Sequence, residues 1–300
     1  MSEPVYVERS IVLGDRTRAW HVKVPTAARE GRPLPIVVAL HGGGGTGARL
    51  HRLTGLDATA EKYGFFLVYP EGVDKHWNDG RADMHETAHR EEVPDVAFVA
   101  AILDEMERTY LVDKERVFAT GISNGAMMSA RLACELSDRI AGVALVAGAM
   151  PRSIQPTCAP TRPVSVMLMS GTADPIVPFS GGEVKIGNLA ARGMVISAEA
   201  TVSEWVRHDG CALAAEERAV PDASPNDGST IRVQSWTRCT QGVAVELWRI
   251  EGGGHTWPGG WQYLNETFIG STNRDIDARE EIWRFFAAHS RTSAARADAR

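Results

Sequence analysis

Three hundred residues, 44% hydrophobic and 23% charged, suit a single soluble α/β domain with one continuous core and exceed the needs of a small disulfide-stapled module. A net charge of −6, with basic residues clustered nowhere except the tail Arg291–Arg300, argues against a nucleic-acid partner. No stretch of roughly 18 or more apolar residues occurs, so no membrane-spanning helix is expected.

The start, MSEPVYVERS, has neither a basic n-region nor an apolar h-region, which fits a cytoplasmic chain or one whose leader has been removed. Val5–Leu13 and Ala19–Val24 flank Gly14-Asp15-Arg16 and read as an antiparallel hairpin. Ile36–Leu40 is a continuous apolar strand that runs into His41 and four glycines. A helix is expected over Ala48–Tyr63, and then a strand Phe65–Tyr69 stopped by Pro70. Glu71–Glu92 shows little periodicity and reads as a long rim loop, a kind of segment that is often functional. Asp95–Tyr110 is an amphipathic helix, with Val96, Val99, Ile102, Leu103 and Met106 on one face.

The strand Arg116–Thr120 enters Gly121-Ile122-Ser123-Asn124-Gly125, and a helix follows to about Leu136. Strands Gly142–Val146 and Val164–Met169 come next, the second ending at Ser170-Gly171-Thr172-Ala173-Asp174-Pro175. A helix near Ser197–His208 precedes a polar insert, Ala212–Arg238. The strand Val243–Ile250 then runs into a glycine-rich loop around His255, and a helix over Asp275–His289 closes the pattern. Short apolar runs that alternate with helical patterns are the mark of βαβ units and a mostly parallel sheet. No repeat or linker divides the chain, so residues 1–290 read as one domain and 291–300 as a flexible tail.

Of the four cysteines, none has metal-ligand spacing. Buried free thiols and bridges both remain open. Among the pairings, Cys211–Cys239 would close the polar insert, which leaves Cys134–Cys158 as its complement.

Ser123 lies in a G-x-S-x-G pattern between a strand and a helix, where a sharp turn exposes the hydroxyl and glycines avoid backbone collisions. Such a serine needs a histidine base oriented by a carboxylate. Three of the nine histidines follow Ser123, and His208 and His289 belong to helices. His255 alone follows a strand, and Asp174 stands at an intervening strand end, in the order nucleophile, acid, base. Backbone N–H groups of Gly42, Gly43 and Asn124 are the expected oxyanion donors. No Gly-Lys-Ser/Thr follows the glycine run, so it does not read as a phosphate loop. These elements point to an α/β-hydrolase fold, a mostly parallel central sheet with helices on both faces, that carries a serine esterase needing no metal or cofactor.

The sequence resembles the secreted polyhydroxybutyrate depolymerases and feruloyl/acetylxylan esterases of the α/β-hydrolase superfamily over roughly residues 18–289. The resemblance rests on His41-Gly42-Gly43-Gly44-Gly45, Pro94-Asp95-Val96-Ala97-Phe98, Gly121-Ile122-Ser123-Asn124-Gly125-Ala126-Met127-Met128, Gly171-Thr172-Ala173-Asp174-Pro175 and Gly252-Gly253-Gly254-His255-Thr256-Trp257-Pro258-Gly259. It implies the same nucleophile, acid and base at Ser123, Asp174 and His255, an extracytoplasmic home, secreted or periplasmic, and disulfides. The absence of an appended substrate-binding domain favours soluble esters over solid polyester.

Trp77 and Trp257 are the expected substrate-binding rings, with Trp261 a further rim candidate. His76, His85 and His89, with Asn78 and Asp79, are expected to be solvated side chains rather than a metal cluster. The partner is a small or oligomeric ester, its acyl group feruloyl, acetyl or hydroxyalkanoate. Depolymerisation of poly(3-hydroxybutyrate), a serine peptidase and a non-catalytic carbohydrate-binding relative are the alternatives.

Overall fold

The computed structural model describes residues 6–187 and 189–291. Val5 and the tail beyond Arg291 lie outside those residues, whereas Arg291 itself donates to the carbonyls of Ser137, Asp138 and Ile140.

The hairpin is β1 (Tyr6–Leu13) and β2 (Arg16–Lys23), and β3 (Leu34–Leu40) is buried along its whole length. One expected helix is two, α1 (Gly47–Thr54) and α2 (Leu56–Tyr63). Gly55 separates them at φ 63°, its N–H donating back to the His51 carbonyl, a left-handed stop that glycine adopts freely. Then come β4 (Phe66–Pro70), a single turn α3 (Thr87–Arg90) inside the long loop, and α4 (Asp95–Thr109). Next are β5 (Val112–Ile122), α5 (Asn124–Glu135), β6 (Gly142–Val146) and β7 (Ser165–Gly171). Two-residue strands β8 (Gly182–Glu183) and β9 (Met194–Val195) pair with each other before α6 (Ala198–His208). The chain ends through β10 (Glu216–Ala219), β11 (Thr230–Trp236), β12 (Val245–Glu251), α7 (Glu266–Ile269) and α8 (Ala278–Ala288).

Ten strands form one sheet in the order β1-β2-β4-β3-β5-β6-β7-β12-β11-β10. The run from β4 to β12 is parallel, and antiparallel pairs extend it at both ends. Consecutive strand residues point to opposite faces. Val38, Leu145 and Val166 accordingly pack with Phe98 of α4, Leu132 of α5 and Trp205 of α6. Their neighbours Val37, Ala144 and Met167 pack with Leu50 of α1, Leu56 of α2 and Phe286 of α8. Because both faces are covered, β3, β4 and β6 are buried along their whole length, whereas the charged residues 113–116 of β5 and Glu246, Arg249 and Glu251 of β12 are not fully buried.

The polar insert is not structureless, since it holds β10 and β11 and widens the sheet. Ile231 and Val233 are buried while Thr230 and Arg232 are exposed, the period-two pattern of a strand covered on one face. Bridges Cys134–Cys158 and Cys211–Cys239 are both present, the second closing the insert.

Candidate active site

β5 lies between β3 and β6, and Ser123 occupies the turn from β5 to α5 at φ 57° and ψ −121°. A non-glycine residue rarely sits there, so the neighbours must hold it. Its N–H donates to the Val146 carbonyl at 3.0 Å, and its carbonyl accepts from Met127 N–H at 3.0 Å. A Cβ on Gly125 would lie 2.1 Å from the Leu40 carbonyl oxygen, and one on Gly121 would lie 2.5 Å from the Gly125 carbonyl carbon. Glycine at both positions lets β3 and α5 approach closely enough to form the turn.

Two other strand ends meet beside it. β7 and β12 are parallel neighbours, with Gly171 opposite Ile250. Past their ends Thr172 N–H donates to Ile250 and Ala173 N–H to Gly253, which draws the two loops together. Asp174 Oδ1 accepts from the N–H groups of Ile176 and Val177, both at 2.8 Å. Its Oδ2 meets His255 Nδ1 at 2.7 Å, with both side chains buried. Tyr263, which sequence reasoning missed, donates its hydroxyl to the His255 carbonyl at 2.9 Å. Burial and the Asp174 charge push its phenol well up, so it remains a neutral donor. His208 and His289 do not line the cavity.

The glycine loop is fastened through His41. Burial lowers its imidazole to about 4, so the ring is neutral near pH 7. Nε2 accepts from Gly72 N–H at 3.0 Å, and Nδ1 donates to the Gly42 carbonyl at 2.9 Å. The His41 carbonyl accepts from the Trp77 indole at 2.9 Å. Gly45 N–H closes a turn onto Gly42.

Gly42, Gly43, Ser123, Asn124 and His255 line one cavity of about 620 Å³. Its remaining wall is largely apolar, from Leu53, Ile122, Val184, Ile186 and Tyr263 among others. Trp77 and Trp257 are not part of it, which corrects the expectation that they bind substrate. Trp77 is fully buried and bonded through its indole to His41, while Trp257 is buried in the core shared by α1, α2 and α8. Trp261 does line the cavity and is 63% exposed. Asp79 and the His89 side chain are also buried rather than solvated, and they contact each other at 2.9 Å. His76 lines the cavity and His85 lies at a smaller neighbouring hollow. The sequence marked Asp79 only as part of an apparent histidine cluster and marked Tyr263 not at all, because their importance comes from contacts made only in the fold.

A serine held at a strained strand-to-helix turn on a sheet of this order defines the class: an α/β-hydrolase. The family model described as "Esterase PHB depolymerase" matches residues 19–195. The chain belongs to that family and is a serine esterase, a carboxylic ester hydrolase. It is 37% identical over 281 residues to a Nocardia uniformis subsp. tsuyamanensis protein named as esterase NocK, spanning 91% of this chain and 80% of that one. Feruloyl esterase C of Emericella nidulans is 28% identical over 55% of this chain and 58% of its own length. Among solved structures, the acetyl xylan esterase from Aspergillus awamori shares the fold at a TM-score of 0.62 with 17% identity, covering 94% of this chain and 99% of that one.

Proposed function

We propose that the protein cleaves esters by two-step acyl transfer on Ser123, within one catalytic domain over residues 1–290 that works outside the cytoplasm. The observation that carries this is the buried His255–Asp174 pair at 2.7 Å, beside the cavity that Ser123 lines. His255 takes the Ser123 proton as the hydroxyl oxygen attacks the ester carbonyl. Asp174 holds the ring with Nδ1 protonated, which leaves Nε2 to act as base. The oxyanion accepts hydrogen bonds from the N–H of Asn124 and of Gly42 or Gly43. The C–O bond to the alcohol breaks, and His255 returns its proton to the leaving oxygen. Water, deprotonated by the same ring, then attacks the acyl-enzyme and releases the acid. The two disulfides suit an oxidising compartment.

Ser123→Ala is expected to lower kcat for p-nitrophenyl acetate by about 10⁴-fold or more. A fluorophosphonate probe is expected to label wild type at Ser123. Hydrolysis at the wild-type rate by Ser123→Ala would reject the assignment.

Feruloyl, acetyl and hydroxyalkanoate esters all fit an apolar cavity, and its charges favour the last. Four arginines line it against one glutamate. Arg81 is paired with Asp79 and Arg192 with Glu86. Arg49 and Arg52, one turn apart on α1, have no carboxylate partner among the described residues. Oligomers of 3-hydroxybutyrate end in a free carboxylate that two guanidinium groups would attract.

A further inference from the structure

Asn124 directly follows Ser123, and its side chain is fully engaged by the long loop. Its Oδ1 accepts from Trp77 N–H at 2.8 Å. Its Nδ2 donates to the Trp77 carbonyl at 3.0 Å and to Asp79 Oδ2 at 2.6 Å. Asp79 has no exposed surface. Its carboxylate also receives Arg81 Nε at 2.9 Å, Arg81 Nη2 at 2.8 Å, the Arg81 backbone N–H at 3.0 Å and His89 Nε2 at 2.9 Å. Burial opposes the charge there, but Arg81 and His89 outweigh it and hold the carboxyl well below the usual carboxylate range. Arg81 continues outward, donating Nη1 to the Arg192 carbonyl at 2.5 Å beside β9.

We propose that Asp79 is a positioning residue for ester hydrolysis: it locks the Asn124 side chain and so aims the Asn124 backbone N–H at the developing oxyanion. The inference rests on Ser123 being the nucleophile. Stapling the loop to itself requires only Arg81 and His89. The bond to Asn124 instead joins the loop to the residue beside the nucleophile, across 45 positions of sequence. Trp77 reinforces the link, since its backbone holds Asn124 while its indole holds His41 at the head of the glycine loop. The buried carboxylate thereby holds the Asn124 side of the oxyanion site, and Trp77 ties that side to the glycine loop.

All the groups that face Asp79 are donors, so Asp79→Asn replaces one acceptor oxygen with a donor and leaves at least one of them unpaired. Asp79→Asn, Asn124→Ala and the double variant are compared on p-nitrophenyl acetate, with phenylboronic acid as a tetrahedral probe and a melting curve for each. For each single variant kcat/KM is expected to fall about 10- to 100-fold while KM moves by less than about twofold. The inhibition constant of phenylboronic acid is expected to rise by the same factor as kcat/KM falls. The double variant is expected to be no worse than the poorer single one, because both changes break the same link. If Asp79→Asn does not fold, Asn124→Ala carries the test alone, since it removes the bond to Asp79 together with the two to Trp77 and leaves Asp79 paired with Arg81 and His89.

Wild-type kcat/KM and boronate affinity in a folded variant, a loss confined to KM, or additive losses in the double variant would each overturn the proposal. Mapping the fluorophosphonate adduct by mass spectrometry separates the two readings. Without an adduct on wild-type Ser123 the hydrolytic reading itself falls. An adduct there together with unimpaired variants removes only the role of Asp79.

Discussion

Asp209 stands at the C-terminal end of α6 with its Oδ1 accepting from Val164 N–H at 3.1 Å, while Oδ2 has no hydrogen-bond partner among the described residues. Burial pushes its carboxyl up from 3.8 to about 7. Between those values the folded chain keeps a proton that the unfolded chain has released, so this group makes folding less favourable as pH rises. The contribution is most favourable below pH 3.8, declines toward about 7 and is flat above. Its slope is at most about 1.4 kcal/mol per pH unit. His41 acts in the opposite sense, because its imidazole is lowered to about 4 by burial and stabilises the fold as pH rises through the range 4 to 6.5. Subtracting the melting curves of Asp209→Asn from those of wild type removes the shared His41 contribution. Wild type is expected to lose ground to the variant from pH 4 to pH 7, and a constant difference would reject the assignment. Single residues also mark where sequence reading stops. Trp77 looks like a rim aromatic because it sits in a long loop, yet partners 36 and 47 positions away bury it.

At the scale of elements, the strand ends were the most legible part of the chain. Apolar runs that stop at Gly-x-Ser-x-Gly, at Asp174-Pro175 and at the loop of His255 place three side chains on one edge of a parallel sheet, and the folded chain brings Asp174 and His255 into contact. What periodicity cannot supply is the break in a helix or a strand that faces solvent. Gly55 reads as a tolerated helical glycine until its left-handed φ of 63° ends α1. β10, Glu216-Glu217-Arg218-Ala219, has no apolar face to read. The insert that carries β10 and β11 is closed by Cys211–Cys239, and neither cysteine lines the cavity. The variant Cys211→Ser/Cys239→Ser is therefore expected to lose about 2–5 kcal/mol of stability and keep its kcat/KM. Calorimetry and an esterase assay on the same sample check this, and a loss of activity without a loss of stability would contradict it.

For the whole molecule, charge and cavity pull in opposite directions. A chain with a net charge of −6 repels anions at long range, yet Arg49 and Arg52 offer a local cationic wall. Exposed guanidinium–carboxylate pairs contribute little, on the order of 0–1 kcal/mol, and salt screens them. Arg49→Gln/Arg52→Gln is thus expected to raise KM for the free-acid dimer of 3-hydroxybutyrate by roughly two- to fivefold at low salt, and to leave its methyl ester unaffected. Equal effects on both esters would show that the arginines do not read the carboxylate. Methyl ferulate and acetylated xylan, assayed beside them, place the preference within the three ester classes.

Among the described residues the ten-stranded sheet does not close on itself, and its two margins are unequal. β10 is four residues long and fully exposed, with three charged side chains, so it makes a poor template for another strand. β1 is eight residues long, and Val12 on it is 68% exposed. Misassembly by strand addition, when partial unfolding permits it, is directed to the N-terminal margin. A charge introduced at Val12 would protect the enzyme during storage without altering any residue that lines its cavity.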